Sequence, residues 1–145
     1  MNKLIASVLT FSASLVLAHS GDTDLERLQG TWLVTSLLEE GKALPAADIE
    51  ILEIVINKDV FTVNEKGKAI AQYQIKLDPA KTPRQIDFTH LIGEAKGKTE
   101  PGIYAIDKDQ VKFALNEKKK VRPTVFEGKE TLEYSVIVLK RKPAK

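Results

Sequence analysis

The stretch LQGTWLVTSLLEEG, Leu28 to Gly41, contains the only tryptophan of the chain, Trp32, two residues after a glycine. Just before it, GDTDLERLQG spaces Leu25 and Leu28 three apart, as on one face of a short helical turn, with Asp22 and Asp24 as candidate caps. From Thr31 the period becomes two. Side chains alternate along a strand, so Trp32, Val34, Ser36 and Leu38 fall on one face. Gly30 stands at the junction, where a tight entry into the strand favours a residue with a free φ. A large ring directly after such a glycine is suited to plug the closed end of a barrel. The sequence therefore assigns Gly30 and Trp32 a structural role.

Outward from this stretch the pattern is strand, short turn, strand. ALPAADIE reads as a turn or a single helical turn with Pro45 at its start. IEILEIVI meets a turn at Asn57-Lys58-Asp59, and VFTV meets the Gly67 loop NEKGK. AIAQYQIKL stops at Asp78-Pro79, RQIDFTHL precedes the loop IGEAKGK, and TEPGIYAI turns at Asp107-Lys108-Asp109 into QVKFAL. The loop NEKKKVRP and a possible edge piece, TVFEG, come before TLEYSVIVLKR, the longest strand. Leu132, Tyr134, Val136 and Val138 share an apolar face of that strand. This spacing predicts an all-β, about eight-stranded antiparallel barrel with a short N-terminal helical turn. Pairing of the first and last strands would close it and leave no exposed edge.

The opening MNKLIASVLTFSASLVLAHS has a basic residue at Lys3, an apolar run over residues 4–17 and small residues at Ala18 and Ser20. It reads as a signal peptide over residues 1–20, cleaved before Gly21 or after Ala18, followed by one domain over residues 21–145. The apolar run is shorter than the ~20 residues that a spanning helix needs, so the expectation is export with no stable membrane insertion. The chain has no cysteine, and a domain of this size can hold together on its core. The net charge is +2, too balanced for a nucleic-acid binder, which needs a concentrated basic surface. The cluster Lys118, Lys119, Lys120 and Arg122 is read as a solvated hairpin loop, with an anionic-surface patch as the sharper alternative.

Gly30-Thr31-Trp32 resembles the G-x-W signature at the start of the first lipocalin strand. The run Leu28–Trp32, DPAKTPRQID from Asp78 to Asp87, Gly102-Ile103-Tyr104, Arg122-Pro123-Thr124-Val125-Phe126 and Leu139-Lys140-Arg141 together resemble the small exported lipocalin-like proteins of the Planctomycetes-type conserved hypothetical domain family. The resemblance implies a lipocalin-like barrel and no particular activity. It also favours Arg141 over Lys140 as the basic residue beside Trp32, although strand parity puts Lys140 on the apolar face. Relatives often carry a cysteine near Ala114. Its absence here argues against a redox or metal role for that thiol.

Catalytic signals are sparse. His19 lies at the leader junction and His90 stands alone. Serines are few and no G-x-S-x-G elbow occurs. No His/Cys spacing suggests a metal site, and no glycine-rich phosphate cradle is present. Asp107 and Asp109 look like turn residues. The Asp78–Asp87 segment is either a rigid corner, with Lys81 or Arg84 paired to Asp78 or Asp87, or a mouth loop. The leading expectation is a monomeric binding module, not an enzyme, with no cofactor and a small, mainly apolar molecule inside the barrel. A filled barrel that acts through its loops at the cell envelope is the alternative. Tyr73, Phe88, Tyr104 and Phe113 are the candidate cavity residues, opposite the Gly30, Trp32 and Arg141 closure.

Overall fold

The computed structural model describes residues 23–127 and 133–144. The leader read over residues 1–20 lies outside them, as do Asp22 and Leu132. A short helix, α1 (Asp24–Leu28), leads into β1 (Gly30–Glu39). Then follow β2 (Lys42–Ala43), the single turn α2 (Ala46–Ile49), β3 (Leu52–Asn57), β4 (Val60–Glu65), β5 (Lys68–Asp78), β6 (Arg84–His90), β7 (Thr99–Asp107), β8 (Gln110–Leu115) and β9 (Ser135–Arg141). Each of β3 to β9 pairs antiparallel with its sequence neighbour, and β1 pairs with both β3 and β9. Eight strands thus close into a lipocalin-like barrel, and the two-residue β2 pairs only with the end of β1.

Several expected boundaries shift. The cap of α1 is Thr23, not an aspartate. Its hydroxyl accepts from the Glu26 amide while the Glu26 carboxylate accepts from the Thr23 amide, a reciprocal capping box. β3 begins at Leu52 because Ile49 ends α2. TVFEG forms no strand over its described residues, 124–127.

The larger correction concerns faces. β1 carries a bulge between Val34 and Ser36. Before it, Val34 lies opposite Leu139; after it, Leu37 lies opposite Ile137 and Leu38 opposite Val136. One extra residue reverses the parity, so Leu37 and Glu39 turn inward while Ser36 and Leu38 turn out. In β9 the inward set is Ile137, Leu139 and Arg141. Val136 and Tyr134 instead join Ile103 and Ala114 in a second, outer cluster, against which Leu38 and Phe126 pack. The apolar face read at Tyr134, Val136 and Val138 is therefore the outer one, and its first two residues are covered within that cluster. This explains why simple parity favoured Lys140.

The closed end is built around Trp32, which is fully buried. Its Nε1 donates to the Leu28 carbonyl at 2.8 Å. The Arg141 guanidinium lies over the indole, 4.2 Å from the ring centroid, and donates to the carbonyls of Gln29 (2.8 Å) and Arg27 (2.7 Å). These carbonyls lie where a helix end leaves acceptors without intrahelical partners. Gly30 has φ +113°, and a Cβ there would stand 3.2 Å from Arg141 Nη1. Across the same end, Tyr104 donates to Asp24 Oδ2 at 2.7 Å, and Arg84 lies 3.4 Å from that oxygen. Burial, reinforced by the Asp24 bond, pushes the Tyr104 phenol well above its ordinary range.

Trp32→Ala is expected to cost about 3–5 kcal/mol in denaturant unfolding, the range for truncating a large buried aromatic. Arg141→Met keeps an apolar stem over the indole but removes its donors. Its expected cost is about 1–3 kcal/mol, because the α1 carbonyls lose their partners. The folded wild type should show blue-shifted tryptophan emission that resists quenching.

Candidate functional site at the barrel mouth

The register brings a particular set of side chains to the end away from Trp32. Tyr73 of β5 lies opposite Phe61 on one side and His90 on the other, and Phe88 of β6 lies opposite Glu100 of β7. Directly opposed residues share a face. Phe88 is core, so Glu100 turns inward with it. Phe61, Tyr73, Phe88 and Phe113 form an edge-to-face cluster with ring centroids 5.4 to 6.1 Å apart.

Above this aromatic layer lies a cavity of about 220 Å³. Phe61 and Phe88 line it from the layer. Val34, Leu37, Val63, Ala71, Leu115 and Ile137 contribute apolar wall, and Tyr73, Glu39 and Glu117 add polar groups. Glu39 and Glu117 also line an outer groove with Lys42, Leu44, Lys118 and Ser135, so the two carboxylates stand where the interior meets the outside.

The structure distributes the four candidate cavity residues unequally. Tyr73 and Phe88 line the cavity. Phe113 packs against Phe61 and Phe88 without lining it, and Tyr104 is at the closed end, bonded to Asp24. His90 is not alone: its Nε2 is 2.5 Å from Glu100 Oε1, and its ring lies 4.6 Å from that of Tyr73. Glu100 Oε2 is buried with no hydrogen-bond partner. Among the described residues, neither Glu39 nor Glu117 forms an ion pair. Burial raises the Glu117 carboxyl above its ordinary range; Glu100 and Glu39 push it the same way, and His90 opposes them. Burial, with Glu100 and Glu117 nearby, raises the Tyr73 phenol to about 12.

The acidic members of this group were missed in the sequence. Glu39 reaches the exposed rim of the cavity only through the β1 bulge, and Glu100 turns inward through its register with Phe88. A carboxylate two residues beyond an inward leucine, Leu115, was the one local hint of Glu117.

The other segments singled out in the sequence make contacts within the fold. Asp78 accepts from the Ala80 amide, Arg84 faces Asp24, and Asp87 pairs with Arg122 at 2.8 Å; the expected pairing within the Asp78–Asp87 segment does not form. Arg122 also donates to the carbonyls of Ile86 and Gly102, on the barrel wall and not at its end. Lys118 pairs with Glu40 and Lys119 with Glu133, so the basic cluster is largely neutralised. Asp109 faces Arg141 Nε at 3.4 Å. Among the described residues, no group of three or more His, Cys, Asp or Glu side chains is arranged to hold a metal ion, and no helix is long and apolar enough to cross a membrane.

No family model matches the chain, and no curated protein or solved structure matches it significantly.

Because the folded-state pKa of Glu117 is raised, its contribution to stability is full below the unfolded carboxylate range, near pH 4, and is lost as pH rises through the raised value. Glu117→Gln removes that dependence. The variant is expected to melt above the wild type at pH 7, with the difference closing near pH 4 in thermal scans across that range.

Proposed function

We propose that this protein is an exported lipocalin-like barrel, a relative of the Planctomycetes-type group, that holds one small, mainly apolar molecule in its mouth. The observation that carries this reading is the cavity above the Phe61 and Phe88 rings. Its volume, about 220 Å³, exceeds the ~150 Å³ of a dry apolar cavity that binds benzene and falls below the ~300 Å³ at which drug-sized pockets begin. The matching occupant is a single ring with a short side chain, or an aliphatic body of similar bulk. Binding to a preformed site, not turnover, suits this arrangement. His90 is engaged by Glu100, and the cavity walls are hydrocarbon apart from Tyr73 and the two rim carboxylates. The leader pattern around Lys3, Ala18 and Ser20 supports export, and the motif order from Gly30-Thr31-Trp32 to Leu139-Lys140-Arg141 supports the kinship.

Titration with 2-phenylethanol, followed by amide NMR, is expected to give saturable shifts at Leu37, Ala71 and Ile137. Ala71→Leu puts methyl groups into the same space and should weaken binding at least tenfold, with little change in the rest of the spectrum. Absence of saturable binding by any small apolar probe would overturn the reading. Intact mass of the protein from its native host should begin at His19 or Gly21; a mass that includes Met1 would rule out leader removal.

A further inference from the structure

Going beyond the binding reading, we propose that one lip of the barrel mouth, formed by the β4–β5 turn and the β6–β7 loop, docks reversibly on an anionic lipid bilayer, with Ile70 and Ile92 in the headgroup layer and four lysines against the lipid phosphates.

Few large apolar side chains stand exposed among the described residues, and two of them, Ile70 (50% exposed) and Ile92 (40%), belong to this lip. Ile70 is near the start of β5, and Ile92 lies two residues beyond the end of β6. Tyr73 is opposite His90, and the Leu91 amide donates to the Gln72 carbonyl at 2.9 Å. The chain leaving β6 therefore runs on alongside the start of β5, which brings the two isoleucines to the same stretch of rim. Ile70 also lines the cavity, so it joins the apolar wall inside to the apolar lip outside.

The same two tips carry Lys66, Lys68, Lys96 and Lys98, all exposed. Among the described residues none of these four forms an ion pair. Glu65 and Glu94 offset part of their charge and leave the lip net positive. The far rim is different. There Lys42, Lys118 and Lys119 stand among Glu39, Glu40, Glu117 and Glu133, with Lys118 paired to Glu40 and Lys119 to Glu133. Uncompensated lysines flanking exposed isoleucines thus mark one side of the mouth only. The β6–β7 loop is held in shape by its own backbone, with the Gly97 amide donating to the His90 carbonyl at 2.8 Å and the Lys98 amide to the Ala95 carbonyl at 2.9 Å. The space beside Gly67, Gly93 and Gly97 is open, so no described side chain covers the tips.

Two isoleucines on convex tips are too small a surface for a stable protein interface, which buries about 800 Å² on each partner. A bilayer asks for no matching shape. Its headgroup layer admits apolar side chains to a shallow depth, and lysine ammonium groups are drawn to an anionic leaflet. Neither contribution is strong alone, which makes the docking reversible. Small apolar molecules leave water for hydrocarbon. Docking therefore sets the cavity opening against the layer in which such molecules accumulate.

The test is sedimentation of the leader-free protein with vesicles of phosphatidylcholine alone or with about 30% phosphatidylglycerol, at about 50 mM salt, where surface charge is weakly screened. Binding to the anionic vesicles is expected to be at least tenfold tighter than to phosphatidylcholine, and to weaken at least tenfold at about 500 mM salt. Replacing Lys66, Lys68, Lys96 and Lys98 together with glutamine should abolish the preference. Ile92→Ser should weaken binding at least threefold with the charge unchanged, whereas Val121→Ser, which removes an exposed valine away from the lip, should not. No binding, equal binding to both vesicles, or a preference unmoved by the lysine variant would overturn the docking. Ile92→Ser binding as tightly as wild type would reveal a general polyanion patch and overturn the lipid assignment. Ile92 does not line the cavity, so the amide shifts with 2-phenylethanol should persist in Ile92→Ser. Persistent shifts without vesicle binding would overturn the docking and leave the cavity reading in place; vesicle binding without any such shifts would support the docking and remove the cavity reading.

Discussion

The carbonyls at the end of α1 are the constraint on which the barrel depends. A helix of five residues cannot satisfy its own C-terminal acceptors, and burying them unpaired under a barrel would be costly. Two side chains from opposite ends of the sequence supply the donors. Trp32 Nε1 takes the Leu28 carbonyl, and Arg141 takes those of Arg27 and Gln29 while covering the indole. The same contacts set the pairing of the first and last strands, because Trp32 and Arg141 are direct cross-strand partners. Closure of the sheet and capping of the helix are therefore one event. Gln29 extends it: its side-chain amide donates to the Lys58 carbonyl and accepts from the Lys58 amide, which fastens the β3–β4 turn to the same end.

This end was legible in the sequence because its determinants are local. Gly30 next to Trp32, and a leucine pair at helical spacing before them, suffice to mark a helix turning into a strand. The strand count followed from turn chemistry at Asn57-Lys58-Asp59, Gly67 and Asp107-Lys108-Asp109. Face assignment beyond Val34 was not legible, because the β1 bulge leaves no mark in the composition of LVTSLL. Once parity reverses, Leu37 packs against the core, Glu39 stands exposed at the cavity rim and Leu38 joins the outer cluster with Val136. A single inserted residue thus decides both the wall of the cavity and one of its carboxylates.

The outer cluster has its own logic. Pro101 of β7 stands opposite Asp87 and has no amide to give to the ladder. Beside it, Arg122 bonds the carbonyls of Ile86 and Gly102 and the Asp87 carboxylate, so a loop side chain supplies donors at the β6–β7 seam. Gly102 lets the strands come close there, since a Cβ would stand 2.7 Å from the Ala114 carbonyl oxygen. The segment after β8 is thereby pinned across the barrel wall, with Phe126 on the outer apolar patch. That anchorage also fixes where β8 gives way to the loop, and hence where Glu117 stands relative to the mouth.

The two ends of the barrel follow opposite rules. At the closed end the two central charges have counterparts: Asp24 meets Tyr104, Arg84 and Arg27, and Arg141 meets three acceptors. At the mouth, carboxylates crowd one another, one oxygen of Glu100 lacks a partner, and the Glu117 carboxyl is raised. Local breaches of packing and electrostatic rules in an otherwise consistent structure mark the places where another demand acts. Here they coincide with the cavity, and the satisfied closed end gives the fold enough rigidity to hold them there.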